Sequence, residues 1–284
     1  MLSKLFFSGG KVYKFYKWEK AFYGDLSEAG FREKFIREDF FWNNIMSPGV
    51  YKRLEVLKNE KGEDDLCIIM NKFENSLTFT DYIENKNLTQ GNLKDFVKNI
   101  ILKQREITAI KKNELGNFLS EDLKHIETGA IEDMKSWCLM SKDIKENKIN
   151  FVAEKLADIL ETDEYHKWNN VARKSACIDG NGDNFIIEGG KILFIDIMPP
   201  KENWRVKDEV FNLARTAADI RALNGNNFLA DSVYSEYAKI TGIEVPEITR
   251  RLYETRAAMI QTAYGYILNQ KDRAEKYNSW VGAL

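Results

Sequence analysis

Two histidines, three cysteines and four prolines in 284 residues set the first limits on this chain. Cys67, Cys138 and Cys177 are far apart, odd in number and form no CxxC. That argues against a disulfide framework and against a structural zinc site. His125 and His166 give a histidine metal cluster or a Ser-His-Asp triad little to draw on. His166 lies in a polar helical pattern and reads as a surface residue. Four prolines leave no extended linker, and there is no repeat or low-complexity tract. No stretch approaches the ~18 apolar residues of a membrane helix. The apolar run in MLSKLFFSGGKVY is cut by Ser8-Gly9-Gly10 before it reaches the length of a secretory h-region. A net charge of −2, with Lys and Arg scattered, offers no basic face to nucleic acid. The expectation is a cytoplasmic protein with neither nucleic-acid nor membrane partners, its oligomeric state left open.

What is present is ordinary globular material, 44% hydrophobic and 30% charged, long enough for two lobes. Residues 4–17 read as two short strands around Gly9-Gly10, because the glycines allow φ > 0. Residues 28–46 carry Phe31, Phe35, Ile36, Phe40 and Phe41 at helical spacing, and Pro48-Gly49 stops that helix. Residues 51–57 and 65–73 read as strands. Beyond residue 75 helical periodicity dominates, over 90–110, 120–140, 148–160, 163–175, 206–223, 227–241 and 246–269. A strand pair at 184–197 is the one clear interruption. The map is a small strand-rich lobe with one helix, then a larger helical lobe, with the boundary near 71–77.

The stretch ACIDGNGDNFIIEGGKILFIDIMPP, residues 176–200, holds the chemistry. Asp179, Asn181 and Asp183 stand at positions 1, 3 and 5 of a calcium loop, with Asn184 tolerable at position 6. Position 12, however, is Gly190, which has no carboxylate, and KILFIDI exits as a strand rather than a helix. Phosphoryl transfer asks for other groups: a carboxylate to receive or orient the acceptor proton, oxygen ligands for Mg²⁺, and a Lys against phosphate charge. Kinase-type loops place an Asp and an Asn five residues apart, followed by a second Asp at a strand end. Asp179 and Asn184 have that spacing. Asp196 ends KILFID, and a hairpin through EGGK would return it beside Asn184.

Four segments in order then resemble the aminoglycoside phosphotransferase and choline kinase-like superfamily, relatives of the protein kinases. CIDGNGDN is similar to HGDxHxxN, with Cys177 and Ile178 in place of His and Gly, and Asn181 in place of the second His. VYKFYKWEKAFYGDLS and REDFFWNNIMSPGVY resemble N-terminal segments of the form YKIKKPV…FLDFS and xExxLNRRLAPxxY. WRVKDEVFNLARTAADI resembles xRxxDVAxDLAFLxxDL. The likeness covers roughly 5–60 and 170–223. It implies an α+β, bilobal protein-kinase-like fold, with a nucleotide-binding lobe at 1–74 and a helical lobe at 75–284 carrying the catalytic loop and acceptor site.

The resemblance also implies roles. Lys14 would face the nucleotide phosphates. Its partner would be Glu38 or Asp39, the spacing to Asn43 favouring Asp39. Met70, Asn71, Lys72 and Phe73 would form the hinge whose backbone binds adenine. Asp179 would be the catalytic base or orienter, Asn184 and Asp196 would hold Mg²⁺, and Asp208 would brace the catalytic loop. FSGGK is either a shortened phosphate-covering loop or no cover at all. The implied enzyme is an ATP- or GTP-dependent kinase acting on a hydroxyl of a small molecule, sugar or aminoglycoside-like. The alternatives are a nucleotide-binding pseudokinase and a protein-modifying kinase-like domain. Trp168, Trp204, Glu209, Tyr264 and Trp280 are candidates to line an acceptor site.

Overall fold

Gly9 and Gly10 take φ of 55° and 71° and close a two-residue hairpin between β1 (Ser3–Ser8) and β2 (Lys11–Tyr16). Two successive positive φ values match the twist of the flanking strands, and glycine adopts them without a Cβ penalty. The computed structural model describes residues 3–21, 24–74 and 76–282. The first two residues of the N-terminal apolar segment, and Phe22-Tyr23 of the VYKFYKWEKAFYGDLS segment, lie outside the described residues.

The chain forms two compact units. The first comprises residues up to Phe79 together with Asp183–Arg205; the second comprises Thr80–Gly182 and Val206–Leu284. The reading from sequence divided the chain once, between 74 and 75. Here the 184–197 hairpin, with Asn184 and Asp196, belongs with the N-terminal strands.

In the first unit, a short pair β3 (Lys20–Ala21) and β4 (Gly24–Asp25) leads to helix α1 (Ala29–Met46). Strands β5 (Tyr51–Lys58) and β6 (Asp64–Asn71) follow, then β7 (Leu77–Thr78). β1, β2, β6 and β5 make an antiparallel sheet in that order. Phe15, Cys67 and Ile69 are the buried centre of one of its faces, with Tyr13 and Leu57 packed on them. α1 buries Phe35, Ile36, Trp42 and Met46, and also Asp39 and Asn43.

The second unit is helical. It begins within α2 (Phe79–Glu84) and continues through α3 (Gln90–Ile110), α4 (Lys112–Ser120), α5 (Leu123–Ser141), α6 (Glu146–Leu160) and α7 (Asp163–Val171). Side chains start three of these helices. Thr89 and Asn92 form a capping box at α3, Asp122 caps α5, and Thr162 caps α7. Each cap satisfies a backbone N–H that the helix leaves open. Strand β8 (Lys174–Ala176) runs into the Asp179 loop. β9 (Phe185–Glu188) and β10 (Lys191–Phe194) then pair with each other, and β9 with β7, in the first unit. β11 (Val206–Asp208) returns to pair with β8, followed by α8 (Phe211–Asp219) and a π-helical turn over Ile220–Asn224. Helices α9 (Asn227–Thr241), α10 (Glu247–Ile267) and α11 (Lys271–Gly282) complete it. α10 packs on α5, α8 and α11.

Two helical expectations need correction. The helix expected over 163–175 ends at Val171, and the one expected over 206–223 begins only at Phe211. The missing pieces are strands: Lys174–Ala176 pairs antiparallel with Val206–Asp208. Local periodicity does not report a partner thirty residues away.

Candidate active site

Lys14 is the centre of the first unit's polar cluster. On β2 alternate residues face opposite ways, and Lys14 points inward, 3% exposed. Its Nζ lies 2.9 Å from Asp39 Oδ2 and 2.5 Å from Asp196 Oδ1. Tyr16 OH donates to Asp39 Oδ2 at 2.8 Å, and Asn43 Nδ2 donates to Asp39 Oδ1 at 2.8 Å. Burial alone would lower the Lys14 ammonium; the Asp196 and Asp39 carboxylates overcome it and hold the group well above the ordinary lysine value. Burial pushes the Asp39 carboxyl up against the pull of Lys14. Of the two helix carboxylates considered from sequence, Asp39 meets Lys14. Glu38 instead accepts from Arg205 Nη1 at 2.8 Å.

Helix α1 also holds the Asp196 segment. Asp39 and Asn43 lie one turn apart on the same face of α1, and Ser47 follows as its C-cap. Asn43 Oδ1 accepts from Ile197 N at 3.2 Å, and Ser47 Oγ accepts from Phe194 N at 2.6 Å. Tyr51 OH accepts from Asp196 N at 2.9 Å. Asp196 itself has φ +54°, a left-handed conformation that Asp tolerates better than most residues. Asn184 Nδ2 donates to the Asp196 carbonyl at 3.2 Å. The Asp196 side chain is 57% exposed. An exposed carboxylate beside an amide is a hard-oxygen donor set. It fits Mg²⁺, which keeps several waters and takes one or two carboxylates plus phosphate oxygens. Among the described residues no group of three or more His, Cys, Asp or Glu gathers as a metal cluster.

Met70–Phe73, expected from the resemblance to bind adenine, has backbone groups already in use. Met70 is buried. Asn71 N donates to Val50 O at 2.9 Å, and Lys72 N donates to Gly10 O at 3.0 Å. Two backbone donors of Met70–Phe73 therefore already serve the sheet. Gly10 belongs to that arrangement, so the Gly9-Gly10 pair answers the needs of a hairpin turn.

Asp179 lies in the second unit. Gly180 N donates to Ile178 O at 2.9 Å, an i to i+2 bond that makes Asp179 the central residue of an inverse γ-turn. Helix α8 grips this turn. In the orientation that satisfies its neighbours, the Asn212 amide donates to Ile178 O at 3.0 Å and accepts from Ile178 N and Gln104 Nε2, both at 3.1 Å. A Cβ on Gly180 would lie 2.7 Å from the Asn212 amide, so the close approach requires glycine. Arg215 Nη1 lies 3.1 Å from Asp179 Oδ1; the side chains are 14% and 41% exposed. The incoming strand is held by α3: Gln104 Nε2 donates to Ala176 O, and Ala176 N donates to Thr108 Oγ1.

Asp208, on β11 opposite Lys174, is fully enclosed. It accepts from Trp168 Nε1 at 2.6 Å, Tyr253 OH at 2.8 Å and Val210 N at 3.0 Å. Burial still raises its carboxyl to about 6. Trp168 and Glu209, considered for an acceptor site, are core residues; Glu209 is buried against Arg105 at 2.7 Å. Burial also pushes the Cys177 thiol up to about 11, so it is not an activated nucleophile. Sequence reasoning missed Tyr16, Ser47, Tyr51, Asn212 and Arg215, and used Asn43 only for its spacing to Asp39. The signal available for Asn43 and Ser47 was their succession at four-residue intervals from Asp39.

No family model matches the chain, and no curated protein matches its sequence. Solved structures do. A glucosamine kinase superposes with a TM-score of 0.53 at 9% identity, over 96% of this chain and 73% of that one. A glucosamine kinase in complex with glucosamine, ADP and inorganic phosphate gives 0.50 at 10% identity, over 96% and 72%. A thermostable mutant of an aminoglycoside phosphotransferase, in ternary complex with AMP-PNP and hygromycin B, gives 0.50 at 12% identity, over 99% and 92%. The fold of this chain is the kinase-like fold of these small-molecule phosphotransferases.

Proposed function

We propose that this chain is an ATP- or GTP-dependent phosphotransferase that moves the γ-phosphoryl group to a hydroxyl of a small molecule, of the sugar or aminoglycoside-like class. The observation that carries the reading is Lys14, buried yet charged between Asp39 and Asp196. A cation so costly to bury is kept where an anionic ligand makes use of it. The kinase-like fold supports the reading, as do the nucleotides and acceptors bound in its structural neighbours, ADP with glucosamine in one and AMP-PNP with hygromycin B in another.

In this reading Lys14 neutralises phosphate charge, and Asp39, itself fixed by Tyr16 and Asn43, aims it. Asn184 and Asp196 would hold Mg²⁺, which when bound screens the charge of the phosphates. Asp179 accepts or orients the proton of the acceptor hydroxyl as its oxygen bonds to the γ-phosphorus and the nucleoside diphosphate departs. Adenine would use the carbonyls of Met70–Phe73 and the Phe73 backbone, since the Asn71 and Lys72 N–H groups serve the sheet. Such sites work by positioning and electrostatics. No described helix is long and apolar enough to cross a membrane; we place the enzyme in the cytoplasm.

Two measurements test this. Mg²⁺-nucleotide at a hundred times its Kd stabilises the chain by ~2.7 kcal/mol. A thermal melt indifferent to every nucleotide and metal pair sinks the reading. Asp179→Asn then lowers transfer, or slow hydrolysis to water, by about 10²–10⁴-fold with nucleotide affinity changed less than about threefold. Nucleotide binding by the parent without turnover on water or any acceptor pool favours the pseudokinase instead.

A further inference from the structure

The γ-turn and Asn212 act on the backbone around Asp179. Helix α8 supplies a second contact. Arg215 follows Asn212 by three residues, so both side chains lie on the helix face toward the loop. Asn212 holds the Ile178 peptide at both ends, and Arg215 reaches the Asp179 carboxylate. The guanidinium is more enclosed than the carboxylate it meets, 14% against 41% exposed. A sheltered, planar donor therefore grips a partly open acceptor.

Resting on the phosphotransferase reading, we infer that Arg215 is a positioning residue, which fixes the direction of the Asp179 carboxylate and acts on catalysis only through it. A planar guanidinium imposes direction as well as charge, because its N–H groups lie in a rigid fork. Direction matters here because a misplacement of ~1 Å at a reacting group costs on the order of 10²-fold in rate. The Lys14 cluster does not need such a device: Asp39 is locked by three side-chain donors in a buried site. Asp179 is partly exposed, and Arg215 meets its carboxylate from the α8 side.

The test is a double-variant cycle on the full chain, with kcat and nucleotide KM measured for hydrolysis to water and for transfer to a metabolite pool. Arg215→Met lowers kcat by about 10–100-fold with KM for nucleotide within about threefold of the parent. Arg215→Lys, which keeps the charge and loses the fork, recovers to within about tenfold of the parent. The decisive variant combines Asp179→Asn with Arg215→Met. With its target already disabled, the Arg215 change adds less than about threefold to the loss from Asp179→Asn alone. A parent-like kcat in Arg215→Met overturns the inference, as does a double variant that shows the product of the two single losses. If Arg215→Met does not fold, Arg215→Gln, which also removes the charge and the fork, carries the same cycle with the same criteria. A parent that transfers phosphate to nothing overturns the phosphotransferase reading, and this inference with it. An active parent with additive losses overturns this inference alone.

Discussion

Helices α1 and α8 solve one mechanical problem in opposite electrostatic settings. Each presents polar side chains, one turn apart, that hold a loop and a charged group. α1 uses Asn43 and Ser47 on the backbone around Asp196, and Asp39 on Lys14. α8 uses Asn212 on the backbone of Ile178, and Arg215 on Asp179. In the first unit the Lys14–Asp39 pair is almost sealed from water; in the second the Asp179–Arg215 pair is partly open. A sealed pair has lost the hydration of both ions, so removing one partner strands the other. An open pair keeps much of its water, and its loss is nearly invisible to stability. Stability and activity should therefore respond in opposite order in the two places.

Asp39→Ala is the strongest way to break the contrast. It leaves Lys14 buried with Asp196 alone and should cost about 3 kcal/mol, the lower end of the range for a disrupted buried ion pair. Urea denaturation checks this; a loss under ~1 kcal/mol would mean that water reaches Lys14 and that the two settings are alike.

Asp208 sharpens the comparison through pH. Its folded carboxyl titrates near 6 against an ordinary 3.8, raised by burial. Between those values the folded chain binds the extra proton, so the contribution of Asp208 to stability is fully present below pH ~4, falls as pH rises to ~6 and is flat above. A rise of that size corresponds to ~3 kcal/mol. Denaturation of parent and Asp208→Asn across pH 4–7 should show that decline in the parent only. An equal slope in both assigns it to other groups.

The smallest expected effect is the stability change in Arg215→Met, about 0–1 kcal/mol as for partly exposed pairs. A loss as large as that of Asp39→Ala would erase the distinction between the helices.

Much of the first unit was legible in residues 4–73, because its signals are local. Gly9-Gly10 announces a hairpin, Pro48-Gly49 ends a helix, and the apolar run of residues 66–70 marks β6. Helices 90–110 and 227–241 were equally plain from their apolar period. The β8–β11 ribbon was not, since its six residues pair across the Asp179 loop and the Asp196 hairpin. The short helices α2 and α4 and the polar α11 went unread; their apolar stripes are too brief to stand out. At the candidate site, Lys14, Asp39, Asn184 and Asp196 were named from motif order, and the structure gathers them. Asn212 and Arg215 carry no local mark: an Arg facing the Asp179 loop reads like any other helix Arg.

The discontinuity of the first unit also orders events during synthesis. Its sheet and α1 emerge first, but the segment that meets Lys14, Asn43 and Ser47 ends at Arg205. At the usual rate of elongation, the intervening stretch takes roughly 6–25 s to appear. Throughout that interval Lys14 has Asp39 but no Asp196, and the nascent N-terminal half is incomplete while α3 to α7 are already leaving the ribosome.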